Sequence, residues 1–96
     1  MESNYKIILF YKYTGITDPK ALRDEQFELC KRLGMKGRMI IAREGINGTF
    51  EGTESACQEY MSLMKSDSRF ADIHWKVSNG TADGTAFPRL SVKVRK

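Results

Sequence analysis

Residues Tyr5 to Tyr13 read Y-K-I-I-L-F-Y-K-Y, with apolar side chains on both parities. That pattern predicts a strand buried on both faces, hence central in a sheet. Thr14-Gly15-Ile16-Thr17 is a connector, and Asp18-Pro19 reads as an N-cap followed by a first-turn proline whose missing N–H is not needed there. Leu22, Leu29 and Leu33 then recur at helical spacing, with Cys30 on the same stripe. Lys31 and Arg32 favour the negative end of the helix dipole, and Gly34 is the expected stop.

Gly37 to Arg43 and Ile46 to Glu51 predict two further strands, joined as a hairpin through Glu44-Gly45. A turn at Asn47-Gly48 is an alternative register. Gly52-Thr53 opens a second helix with Thr53 as its cap, and Ala56, Cys57, Tyr60, Leu63 and Met64 form its apolar stripe. The helix breaks around Ser66-Asp67-Ser68. Ile73 to Val77 predicts a short strand, and Ser78 to Ala86, with Asn79-Gly80 and Asp83-Gly84, a loop. After Pro88, Leu90, Val92 and Val94 alternate with Arg89, Ser91, Lys93 and Arg95, a half-buried strand with a basic outer face. The order is β-α-β-β-α-β with an extra short strand before the last. It predicts an α+β, ferredoxin-like sandwich: one antiparallel sheet with two helices on one face, forming a single domain over residues 1–96.

Composition narrows the function classes. With 41% apolar and 29% charged residues among 96, the chain is globular in character. No apolar run approaches the ~18 residues that span a bilayer. The start Met-Glu-Ser-Asn-Tyr-Lys lacks the basic and long apolar regions of an export signal, so a cytoplasmic protein with no membrane partner is expected. Two cysteines and one histidine are too few for a disulfide framework or a structural zinc site. Nucleophile-elbow, P-loop and Rossmann fingerprints are missing, so no catalytic residue, metal ligand or cofactor is assigned.

Charge is more informative. Residues 1–84 balance, and the whole excess of +4 comes from Arg89, Lys93, Arg95 and Lys96. A second acid-free tract runs from Lys31 through Arg32, Lys36 and Arg38 to Arg43. Brought together by a fold, the two would create a local positive field; apart, they are ordinary solvated faces. The helix-free side of a small α+β sheet is a common platform for single-stranded RNA, which stacks its bases on aromatics beside basic residues. On the first strand the more polar parity is Lys6, Ile8, Phe10 and Lys12, which would expose Phe10 between lysines. The opposite parity would present Tyr5, Tyr11 and Tyr13 instead. Candidate phosphate contacts are Lys6, Lys12, Arg38, Arg43, Arg89, Lys93 and Arg95, with Phe10 or Tyr11 and Asn47 shaping the site. The glycine-rich segment Arg43 to Thr49 suits either a ligand-hugging loop or a hairpin tip. Alternatively the sheet face packs on another domain or a second copy, and its cations are incidental.

Three segments in order, F-Y-K-Y-T-G-I-T-D-P at Phe10–Pro19, G-R-M-I-I-A-R-E-G-I-N-G-T at Gly37–Thr49 and F-P-R-L-S-V-K-V-R-K at Phe87–Lys96, resemble a known family. They look like the N-terminal, acylphosphatase-like domain of the bacterial rhodanese-domain tRNA uridine hydroxylases, oxidoreductases that hydroxylate the wobble uridine. The resemblance implies an accessory domain that helps hold tRNA, while the reactive cysteine lies in a downstream rhodanese domain. The chain stops on Arg95-Lys96 inside a strand pattern, as an N-terminal fragment of such a protein would. Neither Cys30 nor Cys57 matches the rhodanese cysteine motif. Tyr13-Thr14-Gly15-Ile16-Thr17 lacks the acylphosphatase phosphate loop with its arginine, so that hydrolytic activity is not carried over.

Overall fold

A computed structural model describes residues 4–95. Its elements are β1 (Tyr5–Tyr13), α1 (Pro19–Leu33), β2 (Lys36–Ala42), β3 (Gly45–Thr53), α2 (Glu54–Lys65), β4 (Lys76–Asn79) and β5 (Leu90–Val94). The helix ends carry the residues that the sequence marked for them. The Asp18 carboxylate accepts from the Ala21 N–H at 3.1 Å, and Thr53 Oγ1 from the Ala56 N–H at 3.2 Å. Gly34 closes α1, its N–H bonded to the carbonyls of Cys30 and Lys31. β2 ends at Ala42 and β3 starts at Gly45, so the hairpin turns at Arg43-Glu44 and not at Asn47-Gly48.

The strands lie in the order β4-β1-β3-β2-β5. The βαββαβ plan is present, but the sheet is mixed where a wholly antiparallel one was expected. β4 takes the fourth place, antiparallel to β1, while β5 adds to the opposite edge, parallel to β2. Residues 80–89 make this possible. Four strand spacings are about 19 Å, and ten extended residues reach about 33 Å, so the connection can run from one edge of the sheet to the other. α1 fixes the far end: Arg23 Nε donates to the Val92 carbonyl at 2.8 Å. The short strand also sits later than expected. Ile73 is buried and Trp75 packs on the core, so residues 73–75 serve as an anchor, and Ser78 and Asn79 are strand instead of loop.

The core lies between the helices and one side of the sheet. Phe10, Phe50, Tyr60 and Trp75 form an aromatic cluster with ring centroids 4.8–6.0 Å apart. Burying a side chain of this size stabilises the fold by about 1.5–3 kcal/mol. Two polar side chains cross the core: Tyr60 Oη donates to Gln26 Oε1 at 2.6 Å, joining α2 to α1. Leu63, expected on the buried stripe of α2, is exposed, and Gln26 occupies buried space instead.

Candidate functional site

Register and burial decide which side of the sheet is free. Ile8, Phe10, Met39, Ile41, Ile46, Phe50 and Val92 are buried beneath the helices. The other parity presents Leu9, Tyr11 and Tyr13 from β1, Asn47 and Thr49 from β3, Arg38 and Ile40 from β2, and Ser91 and Lys93 from β5. Tyr11 is 64% exposed and Tyr13 79%. Phe10, by contrast, is 1% exposed, so the parity that would place it on the free face is corrected: the lysines flanking it mark strand ends, and its ring belongs to the core.

The remaining candidates separate accordingly. Lys6 and Lys12 share the helix-facing parity of Phe10. Lys6 Nζ donates to Asn79 Oδ1 at 2.9 Å, and Lys12 Nζ pairs with Asp72 at 2.9 Å, holding that exposed carboxyl below its usual range. Arg38, Asn47 and Lys93 are brought together on the free face. Arg89 precedes β5 at one end of it and Arg95 follows β5 at the other, where its guanidinium lies 3.8 Å from Glu44. Arg43 is exposed in the β2–β3 turn. Lys96 lies outside the described residues.

Four strands contribute to one lateral row: Tyr11 opposes Asn47, Asn47 opposes Ile40, and Ile40 opposes Lys93. An aromatic, an amide, an aliphatic and a cation thus run across the sheet. The next row toward the β2–β3 turn has Tyr13 beside Gly45 and Ala42, with Arg95 beyond. Those small residues form the floor of a notch of about 360 Å³. A second hollow of about 490 Å³ lies between Arg38, Thr49, Arg89 and Lys93, and Ile40 borders both. The glycine-rich segment therefore serves packing as well as the notch. A Cβ at Gly45 would collide with the Lys12 carbonyl oxygen, and one at Gly48 would lie 2.6 Å from the Phe10 ring.

The opposite end of the face is covered. Glu51 is 2% exposed although it points away from the helices. Its carboxylate accepts from the Thr81 N–H at 2.6 Å, the Thr81 hydroxyl at 3.0 Å and the Ala86 N–H at 2.9 Å. The crossing segment lies on it and on Tyr5. Among the described residues, Glu51 is the acid that the strands place on this side, and with it buried the accessible strand charges there are cationic. Sequence reasoning missed this latch; a lone Glu in a polar parity has no distinguishing signal before the loop is placed.

The two cysteines are not poised as nucleophiles. Burial pushes the Cys30 thiol up to about 12 and raises that of Cys57. Both thiols are buried and free. Among the described residues no group of three or more His, Cys, Asp or Glu is arranged to hold a metal ion, and no helix is long and apolar enough to cross a membrane.

The model of one protein family, described as the UPF0176 acylphosphatase like domain, matches residues 5–96. Two curated relatives bear the name tRNA uridine(34) hydroxylase. The one from Onion yellows phytoplasma (strain OY-M) is 44% identical over 93 residues, and the one from Cytophaga hutchinsonii 46% over 92. The matches cover 97% and 96% of this chain but 30% and 29% of the relatives, so the chain spans less than a third of their length. Among solved structures, the dark state of the BLUF protein BlrB superposes with a TM-score of 0.74 at 23% identity, over 98% of this chain and 74% of that one. Full-length HypF, in its phosphate- and nucleotide-bound form, gives 0.59 at 16%, over 95% of this chain and 12% of that one. At those identities the likeness is one of fold.

Proposed function

The chain belongs to the UPF0176 acylphosphatase-like domain family, and on that premise we propose that it is the N-terminal, substrate-holding domain of a tRNA uridine(34) hydroxylase. The chemistry then resides in a rhodanese domain elsewhere in the protein. In this role Arg38, Arg89, Lys93 and Arg95 neutralise tRNA phosphates, while Tyr11, Tyr13 and Asn47 meet unpaired nucleotides. The observation that carries the proposal is the helix-free sheet face itself, which sets an exposed tyrosine pair on β1 and cations on β2 and β5 across one surface. A polyanion with stackable bases complements both features.

A specific observation favours a second role. Leu9, Tyr11, Tyr13 and Ile40 are all exposed on this face, and contiguous apolar surface of that kind also suits packing against another domain or a second copy. Reversing the charges of Arg89 and Lys93 together separates the two. A tRNA-holding face loses tenfold or more in tRNA affinity, because two phosphate contacts become repulsive. A packing face leaves tRNA affinity unchanged, and that outcome would overturn the proposal.

A further inference from the structure

Within the face assigned above to tRNA, we infer that the notch between Tyr13 and Arg95 is a seat for a single unstacked nucleobase, distinct from the phosphate-holding hollow beside it. This inference rests on the tRNA-holding role and adds a division of labour to it.

Two small residues, Gly45 and Ala42, meet at the floor, where both are buried below the level of Tyr11, Tyr13 and Arg95. Gly45 and Ala42 oppose each other across β3 and β2, and neither raises a side chain that would prop a planar ring off the sheet. Tyr11 and Tyr13 meet edge to face, 6.1 Å between centroids and 70° between planes. Two aromatic rings crossed in this way cannot stack fully on one another, so ring faces remain for a third aromatic group. Asn47 stands beside Tyr11 in the adjoining row. Its amide offers a donor and an acceptor together, which every nucleobase edge can answer in some orientation. The seat therefore reads the presence of a base more than its identity.

Charge divides the face further. Arg95, at the rim of the notch, is shared with Glu44 at 3.8 Å, whereas Arg38, Arg89 and Lys93 border the second hollow. No ion pair within 4.0 Å involving those three is found among the described residues. Phosphates are thus drawn toward the hollow beside Arg38, Arg89 and Lys93, and a base toward the notch beside Tyr11 and Tyr13. The crossing segment held by Glu51 closes the other end of the face, so the nucleotide strand leaves it across the sheet edges or past the β2–β3 turn.

The test follows amide and Asn side-chain resonances of the chain during titration with a uridine hexanucleotide and with a hexamer of abasic ribose phosphate. Base-bearing RNA is expected to shift Tyr11, Tyr13, Gly45 and Asn47, and the abasic chain only residues around Arg38, Arg89, Ser91, Lys93 and Arg95. The double variant Tyr11→Ala/Tyr13→Ala should weaken uridine-hexamer binding at least about fivefold without affecting the abasic chain, and the double Tyr→Phe variant should retain binding. Equal shift maps for both ligands, or a neutral double Ala variant, would overturn the base seat while leaving the tRNA-holding role intact if Lys93→Glu still weakens both. If neither ligand shifts any residue of the face, the seat and the role fail together.

Discussion

The ring of Phe10 on β1 lies against the α-carbon of Gly48, its cross-strand partner on β3, so closely that any Cβ there would come within 2.6 Å of it. The ring cannot retreat, since Phe50, Tyr60 and Trp75 surround it. Gly48→Ala therefore overpacks the core and is expected to lower stability by about 1–3 kcal/mol, read as a lower urea midpoint at unchanged slope. A midpoint within error of wild type would show that the ring yields freely.

Glu51 fastens the segment that crosses the sheet. Glu51→Gln replaces one acceptor oxygen with a donor facing backbone N–H groups, at an expected cost of about 1–3 kcal/mol. Hydrogen exchange should report it locally, with the amides of Thr81 and Ala86 losing protection before those of β1 and β3. Unchanged protection at both amides would mean that the segment is held by other contacts.

Much of the architecture was legible in local chemistry. Asp18-Pro19, Gly34 and Thr53 mark helix ends because capping depends on one or two residues, and the last strand shows its inner and outer sides in the alternation of Leu90, Val92 and Val94 with Arg89, Ser91, Lys93 and Arg95. What could not be read were relationships between distant segments. Both parities of β1 are apolar, so period alone could not decide whether Phe10 or Tyr11 faces the helices; the decision lies in Gly48 across the ladder, which leaves room for the ring. The partner of the last strand was equally hidden, since residues 80–89 permit either edge, and their anchor, Glu51, precedes them by thirty positions or so in the chain. Arg38, Asn47 and Lys93 were readable as candidates, but their convergence depends on that edge choice.

The buried thiols bear on pH. Cys30 has its pKa raised from the ordinary 9.0 to about 12 by burial, and Tyr60 is pushed well above its ordinary value by burial and by the neighbouring Cys30. In the unfolded chain these groups lose their protons at lower pH than in the fold, so the unfolded state binds fewer protons there and stability falls as pH rises. For Cys30 the decline begins near pH 9 and is complete near pH 12. Stability measured from pH 8 to 11 should fall, and less steeply in Cys30→Ala between pH 9 and 10. A flat profile in the wild-type chain would contradict this.

Lys6 and Lys12 serve as internal controls for the face. Their ammonium groups engage Asn79 and Asp72 on the helix-facing parity, away from the row that ends in Lys93. Lys6→Ala and Lys12→Ala are expected to leave tRNA affinity within about twofold of wild type, whereas Arg38→Ala or Lys93→Ala each removes a phosphate contact and flattens the salt dependence by about one. Equal losses at all four positions would mean that the bound RNA wraps beyond this side of the sheet.

The dependence of tRNA affinity on salt tests the central claim most directly. Contacts from Arg38, Arg89, Lys93 and Arg95 to about four phosphates give a slope near −3 in log affinity against log salt, or roughly fiftyfold weaker binding between about 50 and 200 mM. Titration of the chain with tRNA at those two concentrations should show this loss, and charge reversal at Arg89 and Lys93 should remove about half of the slope. Affinity that does not change with salt, or a slope the reversed variant retains in full, would contradict a tRNA-holding role for the helix-free face.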